Sequence, residues 1–442
     1  MCPVYRAKAG LSAKRRTIEH VFEDVTVIDL RAGESALIER IALLELGKST
    51  AAAEQAELTV ALDDLRRARE AAEGVPVRRR GKGLASEIAL ARRDSPNRGG
   101  RHLGFARALV HEMPHTLAAL AAGALSEWRA TVLVRESACL DVEDRRELDR
   151  RMCADQSRLE GKGDKRIEAD GKAIAYELDP QAVVDRAVKA EAARTVTIRP
   201  APDCMTYVTA LLPMARGVGV YAALKREADV TVDGRSRGQV MADTAYERIT
   251  GHPAEAPAPI AVDVVITDES LLGDADVPAR VSGYGPIPAP IARKLIFAAA
   301  TGARTRAALR RLYRHPRSGA LVAMESRSRR FPKGLAKFIA LRDDTCRTPY
   351  CDAKIRHTDH ATAHAAGGET SAGNGLGDCE ACNYAKEAPG WTVTTEIDDD
   401  GTHTAQFVTP TGATHHSQAP PLPGPPPKPR PVIDIVWLRP AA

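Results

Sequence analysis

Four cysteines within 37 residues constrain this chain more than any other feature. They stand as two close pairs, Cys346 with Cys351 and Cys379 with Cys382, the second within "CEAC". Two such pairs offer four thiolates to a single tetrahedral zinc, with Zn–S bonds near ~2.3 Å. A segment of about 50 residues that is poor in aromatics builds too small a core to fold alone, and a bound metal supplies the missing stability. Alone, "CEAC" also fits a redox dithiol, but that reading needs a thioredoxin-like βαβ context, which the flanks lack. The remaining cysteines, Cys2, Cys139, Cys153 and Cys204, are scattered. They read as free thiols, which points to a reducing cytoplasm.

The rest of the 442 residues divides by pattern and charge. The 44% hydrophobic content excludes global disorder, and 4% aromatics beside abundant Ala, Leu and Arg favours helices. Residues 1–300 read as a mainly α region of unknown role with a small inserted α+β part. One long helix is expected from Glu34 to Glu73, where Ile38, Ile41, Leu44, Leu58, Leu62 and Leu65 recur at near-helical spacing. Strands are expected in 194–201, 204–213, 259–270 and 276–285, with helices over 215–230 and 236–250. "LGKST" (46–50) is not a phosphate loop, since Ala42 stands where the early glycine belongs. The N-terminus has no apolar signal core, and no apolar run approaches the ~18 residues of a membrane span.

Residues 301–347 hold thirteen Arg or Lys against three Asp or Glu. That is +10 in a chain of +5, so everything else sums to −5. Such a run is a candidate phosphate grip, with Arg327, Arg329, Arg330, Lys333 and Lys337 as its contacts. Residues 301–340 are accordingly a basic connector, 341–390 the cysteine unit, and 391–442 a β-hairpin followed by the proline-rich "SQAPPLPGPPPKPRP" (417–431).

Between the cysteine pairs, "IRHTDH" (355–360) reads as a strand, "GGETSAGNG" (367–375) as a loop, and "CEACNYAK" (379–386) as a helix. The set Asp359-His360, Gly367-Gly368, Asn374, Cys379-x-x-Cys382-Asn383 and Lys386 resembles the HNH nuclease motif on a ββα-metal finger, in the variant braced by two cysteine pairs. "RFPKGLAKFIALRDDTCRTPYC", "EAPGW", "SEIALARR", "LSEWRAT" and "GQVMADT" extend the resemblance to an actinobacterial group of HNH-domain proteins, whose large helical N-terminal domain has no assigned activity. The resemblance implies a metal-dependent endonuclease acting on DNA. It implies His360 as general base, and imidazole suits that role near neutral pH. Asp359 and Asn383 would hold a divalent cation; an amide in place of a histidine suits hard Mg²⁺ or Mn²⁺. Asn374 would pin the loop, Lys386 would meet a phosphate, and Cys346, Cys351, Cys379 and Cys382 would hold structural Zn²⁺. His357 and His364 are expected to be loop residues or to stand behind the site, not to take part in catalysis. Ala363 replaces a common proline and Gly375 a common leucine; neither departure removes a chemical group. Two other readings stay open: a nucleic-acid-binding zinc protein that does not cut, and a helical interaction scaffold.

Overall fold

The computed structural model describes residues 33–255, 263–273, 275–301 and 331–424. The chain is mostly helical, with small antiparallel sheets in its C-terminal part. The described residues divide into two units, one of residues 33–88 and 98–190, the other of 89–97 and those after 190.

The first unit begins with the long helix α1 (Glu34–Ala72) and the greater part of α2 (Leu84–Ala91). It continues through α3 (Gly99–Arg107), α4 (Pro114–Ala121), α5 (Glu127–Ser137), α6 (Val142–Cys153), α7 (Asp164–Leu178) and α8 (Pro180–Ala192). The long helix is present where the periodicity predicts it, but its buried stripe is Ala52, Ala53, Ala56 and Val60, while Ile38, Ile41, Leu58 and Leu65 are exposed. Alanine lets α3 and α4 approach closely, and that packing decides the inner face. Leu109, Met113, Leu120, Leu133, Leu148 and Ile167 complete the core. The first turn of α4 has no capping side chain of its own. Asp149 of α6 replaces it, accepting from the His115 N–H at 2.8 Å, the Thr116 N–H at 2.7 Å and the Thr116 hydroxyl at 2.6 Å.

In the second unit, β1 (Thr195–Pro200) and β2 (Thr206–Leu211) form a hairpin, and α9 (Met214–Val230) packs on α10 (Arg237–Thr250). These elements lie where the sequence predicts them. Of the strand expected in 259–270, residues 259–262 lie outside the described residues and the rest is cut to β3 (Val264–Val265); the strand expected in 276–285 holds β4 (Ala279–Val281), and the short helix α11 (Asp268–Leu272) comes between. With β5 (Gly285–Ile287) they form a small antiparallel sheet beside α12 (Ala289–Thr301). Thr267 explains the first shortening: its hydroxyl accepts from the Ser270 N–H at 3.0 Å and starts α11.

The C-terminal part begins with α13 (Lys333–Asp343). Then come the hairpin β6 (His357–His360) and β7 (Gly375–Asp378), the helix α14 (Glu380–Lys386), and an antiparallel sheet of β8 (Thr392–Ile397), β9 (His403–Val408) and β10 (Thr414–Gln418), ordered β10-β9-β8. Leu376, Val393, Ala405 and Phe407 form one apolar cluster, and Leu335, Ile339 and Ala372 another. Gly375 now has a physical reason: a Cβ there would stand 2.3 Å from Ile339 Cδ1. A leucine at that position would push α13 off the hairpin.

Asp343, at the end of α13, ties these pieces together. Its buried carboxylate accepts from Arg342 Nε at 2.7 Å, Arg347 Nη1 at 2.9 Å and the Gly377 N–H at 2.8 Å. Arg342 also reaches the Gly375 carbonyl at 2.6 Å, and Arg347 the carbonyls of His403 at 3.2 Å and Ser417 at 3.1 Å. Two cations of the basic run are therefore interior braces, not parts of a solvated face.

Candidate metal centre and hairpin site

The four cysteines of the two pairs converge. Cys346, Cys351, Cys379 and Cys382 are all buried, and their sulfurs lie within 4.8 Å of one another. Cys351 and Cys379 are 3.8 Å apart, which matches the ~3.8 Å edge of a tetrahedron with ~2.3 Å Zn–S bonds. Four buried sulfurs at this spacing can hold a tetrahedral metal ion such as zinc. Asn97, some 250 residues upstream, points its Nδ2 at Cys379 Sγ (3.7 Å) and Cys351 Sγ (3.9 Å). Nothing in the sequence pattern marks this asparagine, because the contact exists only in the fold.

The hairpin follows. β6 and β7 pair antiparallel with Asp359 opposite Leu376 and His360 opposite Gly375. Asn374 closes the loop between them. Its Oδ1 accepts from the Thr362 N–H at 2.9 Å, its Nδ2 donates to the carbonyls of Thr362 at 3.0 Å and Glu369 at 2.9 Å, and its own carbonyl accepts from Ala361 at 2.8 Å. Gly368 is required beneath it, since a Cβ would come within 1.8 Å of the Thr362 carbonyl oxygen.

His360 is buried, with its ring stacked at a tilt 4.6 Å from Phe331 and met edge-on by His364 at 5.6 Å. Its Nδ1 lies 3.5 Å from Asp359 Oδ1, and its Nε2 is 2.9 Å from the Thr370 hydroxyl. Burial lowers its pKa below the ordinary imidazole value, against the opposing pull of Asp359. For Asp359 burial pushes upward, but the hydrogen bond and charge of Lys386, with help from His360, outweigh it and hold the carboxyl below its usual range. His357 lies at the start of β6, its ring 6.3 Å from Tyr384.

Lys386 corrects one expectation. Its ammonium does not face outward to meet a phosphate: the side chain is 3% exposed, and it donates to Asp359 Oδ2 at 2.8 Å and the His360 carbonyl at 2.9 Å. It also stands 3.5 Å from Asp378, whose buried carboxyl is pushed up to about 6, by burial first and by the nearby Asp343 and Asp359 charges. Asn383, one turn earlier on α14, has an Oδ1 shut off from solvent with no hydrogen-bond partner among the described residues.

Among the proposed phosphate contacts, Lys333 is exposed at the start of α13, whereas Lys337 forms an ion pair with Asp263. Arg327, Arg329 and Arg330 lie outside the described residues, as does the proline-rich tail from residue 425.

Over residues 46–343, more than half of the chain, the sequence matches the family described as a domain of unknown function, DUF222. The chain belongs to the DUF222 family. The DUF222 match ends at Asp343, so the thiolate cluster and the β6–β7–α14 segment lie beyond it. No curated protein and no solved structure matches the chain. No helix among the described residues of this DUF222 protein is long and apolar enough to cross a membrane.

Proposed function

We propose that residues 341–390 are an HNH nuclease domain, a ββα-metal finger that hydrolyses DNA phosphodiester bonds with Mg²⁺ or Mn²⁺. The observation that carries this reading is the orphaned Asn383 Oδ1, on the helix whose Lys386 touches both Asp359 and the His360 backbone. An amide oxygen denied both water and a donor costs about 1–3 kcal/mol, and a hard cation relieves that cost. The donor set of Asp359 Oδ1 and Asn383 Oδ1 is all oxygen and so fits such an ion.

When bound, the cation supplies positive charge at the phosphate and at the leaving oxygen. The chain's own residues do the rest. Asp359 beside Nδ1 favours the tautomer with the proton on Nδ1, so Nε2 carries the lone pair. The Thr370 hydroxyl donates to that lone pair and keeps the ring turned until an attacking water takes its place. Nε2 then accepts the water proton as the water oxygen bonds to phosphorus and the ester oxygen leaves. Burial keeps His360 neutral and therefore able to accept. Asn374 holds the loop that fixes the end of β6. Lys386 clamps the His360 carbonyl and offsets part of the Asp359 charge.

A second reading, binding without cleavage, has one observation in its favour: Lys386 already provides Asp359 with an internal counter-charge. Incubating the zinc-loaded protein with supercoiled plasmid, with Mg²⁺, Mn²⁺ or no added divalent ion, separates the two. Metal-dependent nicked or linear product supports the nuclease. Plasmid left intact under every condition supports the binding protein.

A further inference from the structure

A second feature lies on the zinc side of the hairpin. A groove of about 540 Å³ runs beside the thiolate cluster, lined by Asn97, Lys354, Arg356, Cys379, Glu380 and Tyr384 among others. Lys354 and Arg356 are exposed, and neither forms an ion pair among the described residues. Most other cations of this region are engaged: Arg342 and Arg347 with Asp343, Lys386 with Asp359, and Lys337 with Asp263. Two unpaired cations therefore share one concavity with an aromatic ring. Tyr384 is 57% exposed and is steadied on one side by His357. Chemically this is a phosphate-and-base site: cations for a sugar-phosphate backbone, and a ring face for stacking. Glu380 adds one negative charge to the wall against the two cations, so the charged side chains of the lining still sum to +1.

We propose that this groove is a nucleic-acid strand subsite, in which Lys354 and Arg356 contact phosphates and Tyr384 stacks on a base. The substrate class rests on the nuclease reading above; the groove itself rests on its own residues. Arg356 immediately precedes β6, four residues before His360. At ~3.4 Å per strand residue that is ~14 Å, about four nucleotide rises of ~3.4 Å along a duplex axis. A strand held in the groove would thus have its scissile bond a few nucleotides from the contacts. Asn97, donating to two sulfurs at the groove wall, holds segment 89–97 there and shapes the concavity.

The test is a binding titration of full-length, zinc-loaded protein with a fluorescent oligonucleotide, single- or double-stranded, without added Mg²⁺ or Mn²⁺. The double variant Lys354→Ala with Arg356→Ala should flatten the slope of log K against log salt by about 1.4–1.8, two contacts at ~0.7 each on single strands or ~0.9 each on duplex. Tyr384→Ala should weaken binding roughly 5- to 150-fold, and Tyr384→Phe should restore it, since stacking needs the ring and not the hydroxyl. Zinc content, measured alongside, should be unchanged, because none of the three is a ligand. An unaltered salt slope in the double variant, or Tyr384→Ala binding as tightly as wild type, would overturn the proposal. Weaker capture of a polyglutamate peptide with no change on oligonucleotide would also overturn it and make the groove a site for acidic protein. The two readings fail separately: a wild type that binds through the groove yet cuts nothing removes the nuclease and keeps the subsite. A wild type that cuts while the groove variants bind normally removes the subsite and keeps the nuclease.

Discussion

Replacing Asp343 with alanine should damage the hairpin site without touching any proposed reacting group. The carboxylate is fully buried and receives Arg342, Arg347 and the Gly377 N–H. Removing it strands two buried guanidinium groups, a loss of about 3–5 kcal/mol for a broken buried pair. The Gly377 amide, left without an acceptor, adds about 1–3 kcal/mol. The sum, about 4–8 kcal/mol, is comparable with the ~5–15 kcal/mol that holds a whole domain together. Urea titration of the full chain, followed by Trp391 fluorescence in a background of Trp128→Phe and Trp437→Phe, reads the C-terminal unit. Its midpoint should collapse. The pH dependence has a definite sign. Burial pushes the Asp343 carboxyl up, but Arg342 and Arg347 more than compensate and hold it below its ordinary value. A depressed carboxyl contributes its full stability above the unfolded value of ~3.9 and loses it as pH falls through the folded value. The gap between wild type and variant should therefore stay constant from neutrality to mild acid and narrow only below ~4. A variant within about 1 kcal/mol of wild type, against the expected buried-pair loss, would refute the reasoning, as would a gap already closing near pH 6.

Cys379→Ser should cost the bound zinc and unfold residues 340–390, because metal binding supplies much of that segment's folding free energy; a folded segment without tightly held zinc, seen by metal analysis and proton NMR, would count against the cluster. Asn374→Ala removes three side-chain hydrogen bonds in the loop and should lower kcat far more than it raises KM in plasmid cleavage. His403 donates Nε2–H to the Gly373 carbonyl at 2.7 Å, and burial, reinforced by Arg342 and Arg347, pushes its pKa down to about 4. Its unfolded value of ~6.5 lies higher, so the fold should lose up to ~3 kcal/mol as pH drops from about 6.5 to 4, and His403→Gln should flatten that slope in denaturant melts.

The parts legible in the sequence were those carried by local pattern. The long helix from Glu34, the 195–211 strands, the two helices after them and the strand, loop and helix around His360 all follow from periodicity and turn residues. The convergence of the four cysteines was legible because their spacing suits one metal. What stayed hidden depends on long-range approach. Arg342 and Arg347 belong to the basic run by charge, yet the carboxylate of Asp343, between them in sequence, draws both inside. Lys386 looked like a phosphate ligand because helical spacing shows a face and not its neighbour, and that neighbour is Asp359. Thr370 and Asn97 carry no motif; each matters only because a loop or a distant segment returns to the site. Likewise the inner face of the first helix was set by alanines, whose small size becomes informative only when another helix lies against them.

The central claim is that His360 accepts the proton of an attacking water. The most direct measurement compares plasmid cleavage by wild type and His360→Ala, each zinc-loaded and titrated with Mn²⁺. The account predicts unchanged zinc, near-wild-type DNA affinity and a cleavage rate lower by ~10²–10⁴ that added Mn²⁺ does not restore. Asp359→Ala, by contrast, should recover partly as Mn²⁺ rises, because it weakens the cation's hold and leaves the base in place. His360→Ala cutting at the wild-type rate would contradict the account.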